Sequence, residues 1–145
     1  MRVLSRALVV GAFVWPLLLG AAVWTRQGGE PPRWTSPLYL AASTICHQRA
    51  DRSFATAGVQ WPVCGRCSGL YLAAPAGVAL AVTRRRTATG PRGLLAAAAL
   101  PTVATLGLEW LQVVPVSNLA RAVAAAPLGA ALAWVLVRVA EPRVH

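Results

Sequence analysis

Residues Ala7–Trp24, ALVVGAFVWPLLLGAAVW, form an apolar stretch that contains no charged side chain. Arg2 and Arg6 precede the stretch, and Arg26 follows it. A helix that crosses the hydrocarbon core of a bilayer needs about 20 predominantly apolar residues. The stretch is also longer than the roughly 7–15 apolar residues of a signal-peptide core. It therefore predicts a retained transmembrane helix.

The composition of the whole chain indicates the same environment. Of its 145 residues, 57% are hydrophobic and 12% are charged, and the mean hydropathy is +0.56. A soluble domain carries about 25% charged residues, so this chain has too few to cover its surface in water. The high hydrophobicity also excludes intrinsic disorder. The composition therefore predicts a protein whose main partner is the lipid bilayer.

Four apolar runs have the length and composition of transmembrane helices. They cover about residues 7–24, 68–83, 94–114 and 119–138, and a long outer loop covers residues 25–67. The second run is short for a span unless it begins inside that loop. Each run contains one proline near its middle, which membrane helices tolerate. We therefore predict a single all-α membrane domain of four transmembrane helices over residues 1–145.

The net charge of +10 comes from 14 basic residues, all of them arginine. These arginines flank the apolar runs and form no basic helix, so no nucleic acid partner is expected. The segment Arg84–Arg92 contains arginines and no acid, which predicts a cytoplasmic position. Alternation then places both termini in the cytoplasm. The outer loop lies outside the cell, and the chain lies in the plasma (inner) membrane as a multi-pass protein.

The outer loop contains all three cysteines of the chain and one of its histidines. Ser36 and Pro37 predict the N-cap and first residue of a short helix on the membrane surface, which delivers Cys46 and His47 at its end. The motif Cys64-Gly-Arg-Cys67 stands directly before the second span, where Ser68 is a candidate N-cap.

Three kinds of chemistry fit these cysteines. Cys64 and Cys67 have the spacing of two ligands of a tetrahedral metal, and Cys46 and His47 would complete a set that suits zinc. Alternatively, a Cys-x-x-Cys pair at a helix N-terminus has a lowered thiol pKa and supports thiol–disulfide exchange. A structural disulfide with one spare thiol is the third interpretation.

A second polar set lies on the same side of the predicted membrane domain. A charged side chain at membrane depth costs roughly 2.5–3.5 kcal/mol, so Glu109 in the third span and Arg121 in the fourth are predicted to pair. Gln112 lies one helical turn beyond Glu109, and Ser117 or Asn118 can cap the fourth span. The pair either links two helices or forms the floor of a pocket under the cysteine loop.

The order of these residues resembles the signature of a known family. The matching elements are Cys46-His47-Gln48, Arg52-Ser53-Phe54, Pro62-Val63-Cys64-x-Arg66-Cys67-Ser68-Gly69-Leu70-Tyr71, Glu109-x-x-Gln112 and Ser117-Asn118-x-x-Arg121. They are similar to those of DUF2085, a family of uncharacterised prokaryotic integral membrane proteins, which more often has aspartate where Glu109 stands. The resemblance implies a membrane protein without an established activity. It also implies that the two polar sets form one site.

The sequence therefore supports three functional hypotheses. The first is a small membrane protein with a zinc site formed by Cys46, His47, Cys64 and Cys67. The second is a thiol–disulfide oxidoreductase that uses Cys64 and Cys67, and the third is a non-enzymatic accessory subunit. For an enzyme, the candidate catalytic residues are His47 as general base, Glu109 and Arg121. Residues that would line or support the site are Gln48, Arg52, Ser53, Arg66, Tyr71, Gln112, Ser117 and Asn118.

Overall fold

The computed structural model describes residues 2–83 and 90–140, and most of these residues are helical. In chain order the elements are α1 (Arg2–Arg26), α2 (Thr35–Ser43), β1 (Ser53–Thr56), β2 (Val59–Cys64), α3 (Gly65–Thr83), α4 (Pro91–Trp110) and α5 (Asn118–Ala140), with a short 3-10 turn at Ala50–Arg52. Within the described residues, α1, α3, α4 and α5 are long and apolar enough to cross a membrane. The four predicted spans are thus confirmed at this level. Most of the predicted cytoplasmic segment Arg84–Arg92 lies outside the described residues.

The third span ends earlier than predicted, at Trp110 instead of residue 114. Gln112 adopts a left-handed conformation with φ 54°. Its N–H donates to the Glu109 carbonyl at 3.2 Å, and the N–H of Val113 donates to the Leu108 carbonyl at 3.1 Å. This pair of hydrogen bonds is the Schellman motif that closes a helix. Gln112 therefore follows the helix and does not continue it.

The start of α3 lies inside the outer loop, as the short second span required. Its first residue is Gly65 because β2 passes directly into the helix at Cys64. The prediction that Ser68 is the N-cap is consequently wrong: its hydroxyl lies within the helix and donates to the Cys64 carbonyl at 3.1 Å. By contrast, Ser117 is confirmed as a cap of α5, since its hydroxyl accepts the Ala120 N–H at 3.1 Å.

The cap of α2 also differs from the prediction. The helix begins at Thr35, so Ser36 and Pro37 belong to its first turn and Trp34 occupies the cap position. The Thr35 hydroxyl is buried and donates to the Pro32 carbonyl at 2.8 Å. This contact starts the helix two residues earlier than Ser36 would as a cap.

The outer loop contains a β-hairpin, so the all-α prediction is wrong for this part of the chain. Strands β1 and β2 are antiparallel, with Ser53 opposite Cys64 and Thr56 opposite Val59. Ala57 and Gly58 connect them with φ of 49° and 79°. A two-residue connection with both φ values positive matches the right-handed twist of the strands. The hairpin positions Cys64 at the entrance to α3.

Helices α3 and α5 form the closest helix pair, and glycines make this approach possible. A Cβ atom added to Gly69 would lie 2.0 Å from the Ala122 carbonyl oxygen, and one on Gly77 would lie 2.0 Å from that of Ala130. The two helices run parallel, so both begin on the side of the outer loop. Small residues at such spacing let backbones pack closely in lipid. Gly69 and Gly77 of α3, with Ala122 and Ala130 of α5, therefore form the interface of the two helices.

Helix α4 is held much less closely. None of its described residues is buried, and its large apolar side chains are exposed. Near the middle of the helix, the Thr102 hydroxyl donates to the Ala124 carbonyl of α5 at 2.9 Å. In a bilayer most of the α4 surface therefore faces lipid.

Candidate functional site

The three cysteines come together at the outer ends of α2, β2 and α3. The sulfur atoms of Cys46, Cys64 and Cys67 all lie within 4.8 Å of one another, and we call this group the cysteine cluster. Cys46 and Cys64 are buried, Cys67 is partly exposed, and all three thiols are free. Three sulfur ligands so close together can bind one metal ion.

A backbone N–H group donates a hydrogen bond to one sulfur atom of the cluster. Cys46 follows α2, where its N–H donates to the Ala42 carbonyl at 3.0 Å. The N–H of Cys64 in turn donates to Sγ of Cys46 at 3.1 Å. A hydrogen bond to sulfur stabilises the thiolate form, which is the form that binds metals.

Gln48 joins the two segments that carry Cys46 and Cys64. Its side-chain amide donates to the carbonyls of Tyr39 at 2.7 Å and Pro62 at 2.8 Å. The Gln60 amide donates to the Gln48 carbonyl, and the Tyr39 hydroxyl donates to the Gln60 carbonyl, both at 2.7 Å. Gln48 itself has φ 47°, a conformation that costs energy for a residue with a side chain. Its role is to hold α2 against β2.

The surroundings of the cysteine cluster are apolar. Leu19 of α1, Ala42 of α2 and Val63 pack around it, and Tyr71 meets Trp15 edge-on with ring centroids 6.1 Å apart. A hydrogen bond with the Cys67 side chain lowers the pKa of Cys64 to about 5, against the opposing effect of burial. The same hydrogen bond raises the pKa of Cys67, so Cys64 is the thiol of this pair that ionises first.

His47 does not join the three sulfurs. Its side chain is exposed, and its Nδ1 accepts the N–H of Arg49 at 3.4 Å. The cluster that the structure brings together consists of cysteines alone.

Glu109 is the centre of a second cluster. Its Oε1 accepts a hydrogen bond from Nε of Arg121 at 2.5 Å, and its Oε2 lies 3.1 Å from Nη2 of Arg66. The side chains of Glu109 and Arg121 are each 12% exposed, and that of Arg66 is 17% exposed. The predicted pairing of Glu109 with Arg121 is confirmed. Sequence reasoning missed Arg66 as the second partner, because Arg66 was interpreted as part of the cysteine motif.

The start of α5 is tied to the outer loop by polar contacts. Nη1 of Arg121 donates to the Asn118 side-chain oxygen at 2.6 Å and to the Asp51 carbonyl at 3.4 Å. The Asn118 amide donates to the Ser53 carbonyl at 2.9 Å. These contacts place the loop after α4 and the loop of residues 25–67 at the same end of the molecule.

A pocket of about 380 Å³ opens beside this second cluster. It is lined by Arg52, Glu109, Gln112, Val114, Pro115, Val116 and Arg121. Arg52 comes from the outer loop, but none of the three cysteines lines the pocket. We call Arg52, Arg66, Glu109 and Arg121 the arginine cluster. The two polar sets thus share the start of α3, with the cysteine cluster towards α1 and the arginine cluster towards α4 and α5.

Comparison with known proteins gives a family match over more than half of the chain. The sequence model of a family described as "Predicted membrane protein (DUF2085)" matches residues 46–135, which include both clusters. An "Uncharacterized protein" of Methanothermobacter thermautotrophicus (strain Delta H) is 50% identical over 30 residues. That match covers 21% of this chain and 27% of the relative, so it spans about a quarter of the relative's length. No solved structure matches the chain.

Proposed function

Because this chain belongs to the DUF2085 family of predicted membrane proteins, we propose that it is a four-span membrane protein whose cysteine cluster binds a metal ion, with zinc preferred. The observation that carries the proposal is the approach of three free sulfur atoms to within 4.8 Å of one another. A mixture of thiolate and imidazole ligands suits zinc.

The residues fit such an ion in distance and in charge. Zinc–sulfur bonds of about 2.3 Å in a tetrahedral site hold sulfur atoms about 3.8 Å apart, so the cluster needs only a small contraction. The lowered pKa of Cys64 favours its thiolate. Burying a negative charge among apolar side chains is costly without a cation. A divalent metal ion supplies that cation.

His47 is the proposed fourth ligand. It directly follows Cys46 in the chain, and its exposed ring can turn without displacing a packed neighbour. Four protein ligands would close the site and make the ion structural, whereas three would leave a position for water and a catalytic role. In the second case His47 is the candidate general base, while Glu109 and Arg121 belong to the separate arginine cluster.

We place the cysteine cluster outside the cell in the same proposal, with both termini in the cytoplasm of the plasma membrane. The arginine-rich segment Arg84–Arg92 supports this orientation. Helix α2 is proposed to lie on the outer membrane surface, because Leu40 is 70% exposed and Ile45, just after the helix, is 56% exposed. Such apolar side chains can enter the boundary between headgroups and acyl chains.

A thiol–disulfide oxidoreductase is the second candidate, favoured by the proximity of free Cys64 and Cys67. In that reaction two thiols lose two electrons and two protons to an oxidant, such as a quinone, and form a disulfide. Exchange also requires access for the attacking thiolate. Cys46 and Cys64 are each only 7% exposed, so the burial favours the metal proposal.

The deciding experiment measures metal and thiols in the purified full chain. The protein is purified without oxygen in detergent, its metals are quantified, and free thiols are counted before and after chelation. About one zinc per chain with thiols masked until chelation supports the proposal. A metal-free protein with a Cys64–Cys67 disulfide that equilibrates with a quinone supports the oxidoreductase. A metal-free protein with inert thiols leaves the accessory subunit.

Two variants sharpen this experiment. Cys64→Ser should lose bound zinc and much of its thermal stability, because the binding free energy of a structural zinc site is on the order of 10 kcal/mol. Ser43→Ala, which changes an exposed side chain of α2, is the control and should keep both. His47→Ala should weaken zinc binding if His47 is the fourth ligand. Unchanged zinc affinity in this variant would leave a site of three cysteines.

A further inference from the structure

The arginine cluster and its neighbours carry more positive charge than their acids can neutralise. Glu109 contacts both Arg66 and Arg121, so one carboxylate serves two guanidinium groups. Asp51 is likewise shared, at 3.1 Å from Nε of Arg49 and 3.7 Å from Nε of Arg52. Four arginines therefore face two acids, which leaves two positive charges at one end of the membrane domain.

Arg66 affects the charge balance of the pocket, because it shares Glu109 with Arg121. Its guanidinium neutralises Glu109 from outside the pocket, since Arg66 is not among the lining residues. Asp51 lies closer to Arg49 than to Arg52. Of the two arginines that line the pocket, Arg121 shares Glu109 with Arg66, and Arg52 is the more distant partner of Asp51.

The same region contains hydrogen-bond donors that have no acceptor. Nε of Arg52 and both Nε and Nη2 of Arg66 are buried without a hydrogen-bond partner, although Nη2 lies near the Glu109 carboxylate. Buried polar groups in proteins are nearly always hydrogen-bonded. The unused donor of Arg52 belongs to a residue that lines the pocket, where a bound anion can accept from it.

The pocket has room for a ligand larger than a single ion. Its volume of about 380 Å³ falls within the range of small-molecule sites. Gln112 places an exposed side-chain amide at its edge, and Val114, Pro115 and Val116 form an apolar wall. Such a pocket accommodates an oxyanion together with a small, partly apolar substituent.

We propose that this pocket binds a phosphate group, carried either by a soluble phosphate ester or by the headgroup of an anionic phospholipid. The planar guanidinium group matches the oxygen geometry of phosphate and donates two parallel hydrogen bonds to it. The pocket lining carries one more positive charge than negative, because Arg52 and Arg121 line it together with Glu109, so it favours an anion. The site lies at the outer-loop end of α4 and α5, where lipid headgroups and soluble esters both have access. The proposal does not depend on the metal site.

The test uses the full chain in detergent and compares two sources of phosphate. Thermal unfolding is measured with inorganic phosphate and glycerol phosphate, because a ligand that binds the native state raises the unfolding temperature. Native mass spectrometry then counts phosphatidylglycerol and phosphatidylcholine bound to the same protein. Stabilisation by glycerol phosphate identifies a soluble ester as the ligand. Preferential retention of phosphatidylglycerol without that stabilisation identifies a lipid headgroup.

Arg52→Gln is the decisive variant, because Arg52 lines the pocket but does not contact Glu109. We expect Arg52→Gln to weaken phosphate binding at least tenfold. Arg52→Lys keeps the charge but not the planar guanidinium group, and we expect it to weaken binding less. The matched control is Arg33→Gln, which removes the same charge from an exposed arginine outside the pocket and should leave binding unchanged. Zinc content, measured in parallel, should not differ among the three variants.

Three results would overturn the proposal. The first is the absence of binding of any of these phosphates to the wild-type chain. The second is an equal loss of binding in Arg33→Gln and Arg52→Gln, which would indicate a general charge effect. The third is tighter binding of succinate than of glycerol phosphate, which would assign the pocket to carboxylates.

Discussion

The cysteine cluster and the arginine cluster both meet the first turn of α3, and they differ in their surroundings. On the side of α1, three sulfur atoms lie among apolar side chains. On the side of α4 and α5, guanidinium groups outnumber the carboxylates that they contact. One short segment, Cys64–Cys67, thus supplies two sulfur atoms to one cluster and a counter-ion for Glu109 to the other.

The largest effect is expected from Glu109→Gln, which removes the carboxylate between two arginines. Loss of one partner of a buried ion pair costs about 3–5 kcal/mol, so the variant should show strongly reduced folded yield and a lower unfolding temperature. Asp51→Asn is the control. Its carboxylate is exposed, so its loss should lower the unfolding temperature much less.

A double-mutant cycle sharpens this result. Arg121→Gln alone should also be destabilising, and the double variant with Glu109→Gln should recover part of the loss. The recovery is incomplete because Arg66 still lacks its carboxylate. Strictly additive losses in unfolding free energy would show that Glu109 and Arg121 do not interact.

Gly69→Ala should disturb the arginine cluster more than the cysteine cluster. The added Cβ would lie 2.0 Å from the Ala122 carbonyl oxygen, next to Arg121, so α3 and α5 must separate. Overpacking of this kind costs about 1–3 kcal/mol. Gly11→Ala, where no atom lies within 4 Å of the new methyl group, should not destabilise the protein. Loss of bound zinc in Gly69→Ala at unchanged thermal stability would contradict the separation of the two clusters.

The metal-free cysteine cluster should respond to pH on its own. The folded-state pKa of Cys64 is lowered from 9.0 to about 5, so its thiolate stabilises the fold fully above about pH 9. That contribution decreases as the pH falls and is lost below about pH 5. The ultraviolet absorbance of thiolate should report a transition near pH 5 that Cys64→Ser lacks. The absence of a transition near pH 5 in the wild-type protein would contradict the lowered pKa.

The smallest effect is expected at the tip of the hairpin, which adjoins both clusters. Ala57 has φ 49°, a conformation in which asparagine is favoured before glycine in a two-residue turn. Ala57→Asn should stabilise the protein by a few tenths to about 1 kcal/mol. Zinc content should not change. A lower unfolding temperature for this variant would argue against the turn conformation.

Sequence reasoning found the residues whose position is set by membrane depth. Glu109 and Arg121 could be paired because each charge is costly in an apolar span and the connection between the spans is short. The condition that the second span begins inside the cysteine loop was also readable from its length. These inferences need only the length of one helix or the short connection between two consecutive helices.

Features that depend on contacts across the outer loop were not readable in the same way. The hairpin has only short strands, with a proline in β2, although Ala57-Gly58 before Val59 and Trp61 was a turn signal. Arg66 could serve the thiols or an acid, and only the approach of α3 to α4 decides for Glu109. His47 follows Cys46 in the chain, yet it does not join the three sulfurs, and its Nδ1 accepts the N–H of Arg49 instead.

The parallel pairing of α3 with α5 has a consequence for biogenesis. The partner of α3 is not the next helix but the one after it, so the pair cannot assemble until α5 has left the ribosome. At about 5–20 residues per second, α3 and α4 wait in the membrane for a time on the order of seconds. Glu109 leaves the ribosome before Arg121 does, whereas Arg66 has already left it. Arg66 is therefore the arginine that can accompany Glu109 during insertion, before Arg121 completes the ion pair.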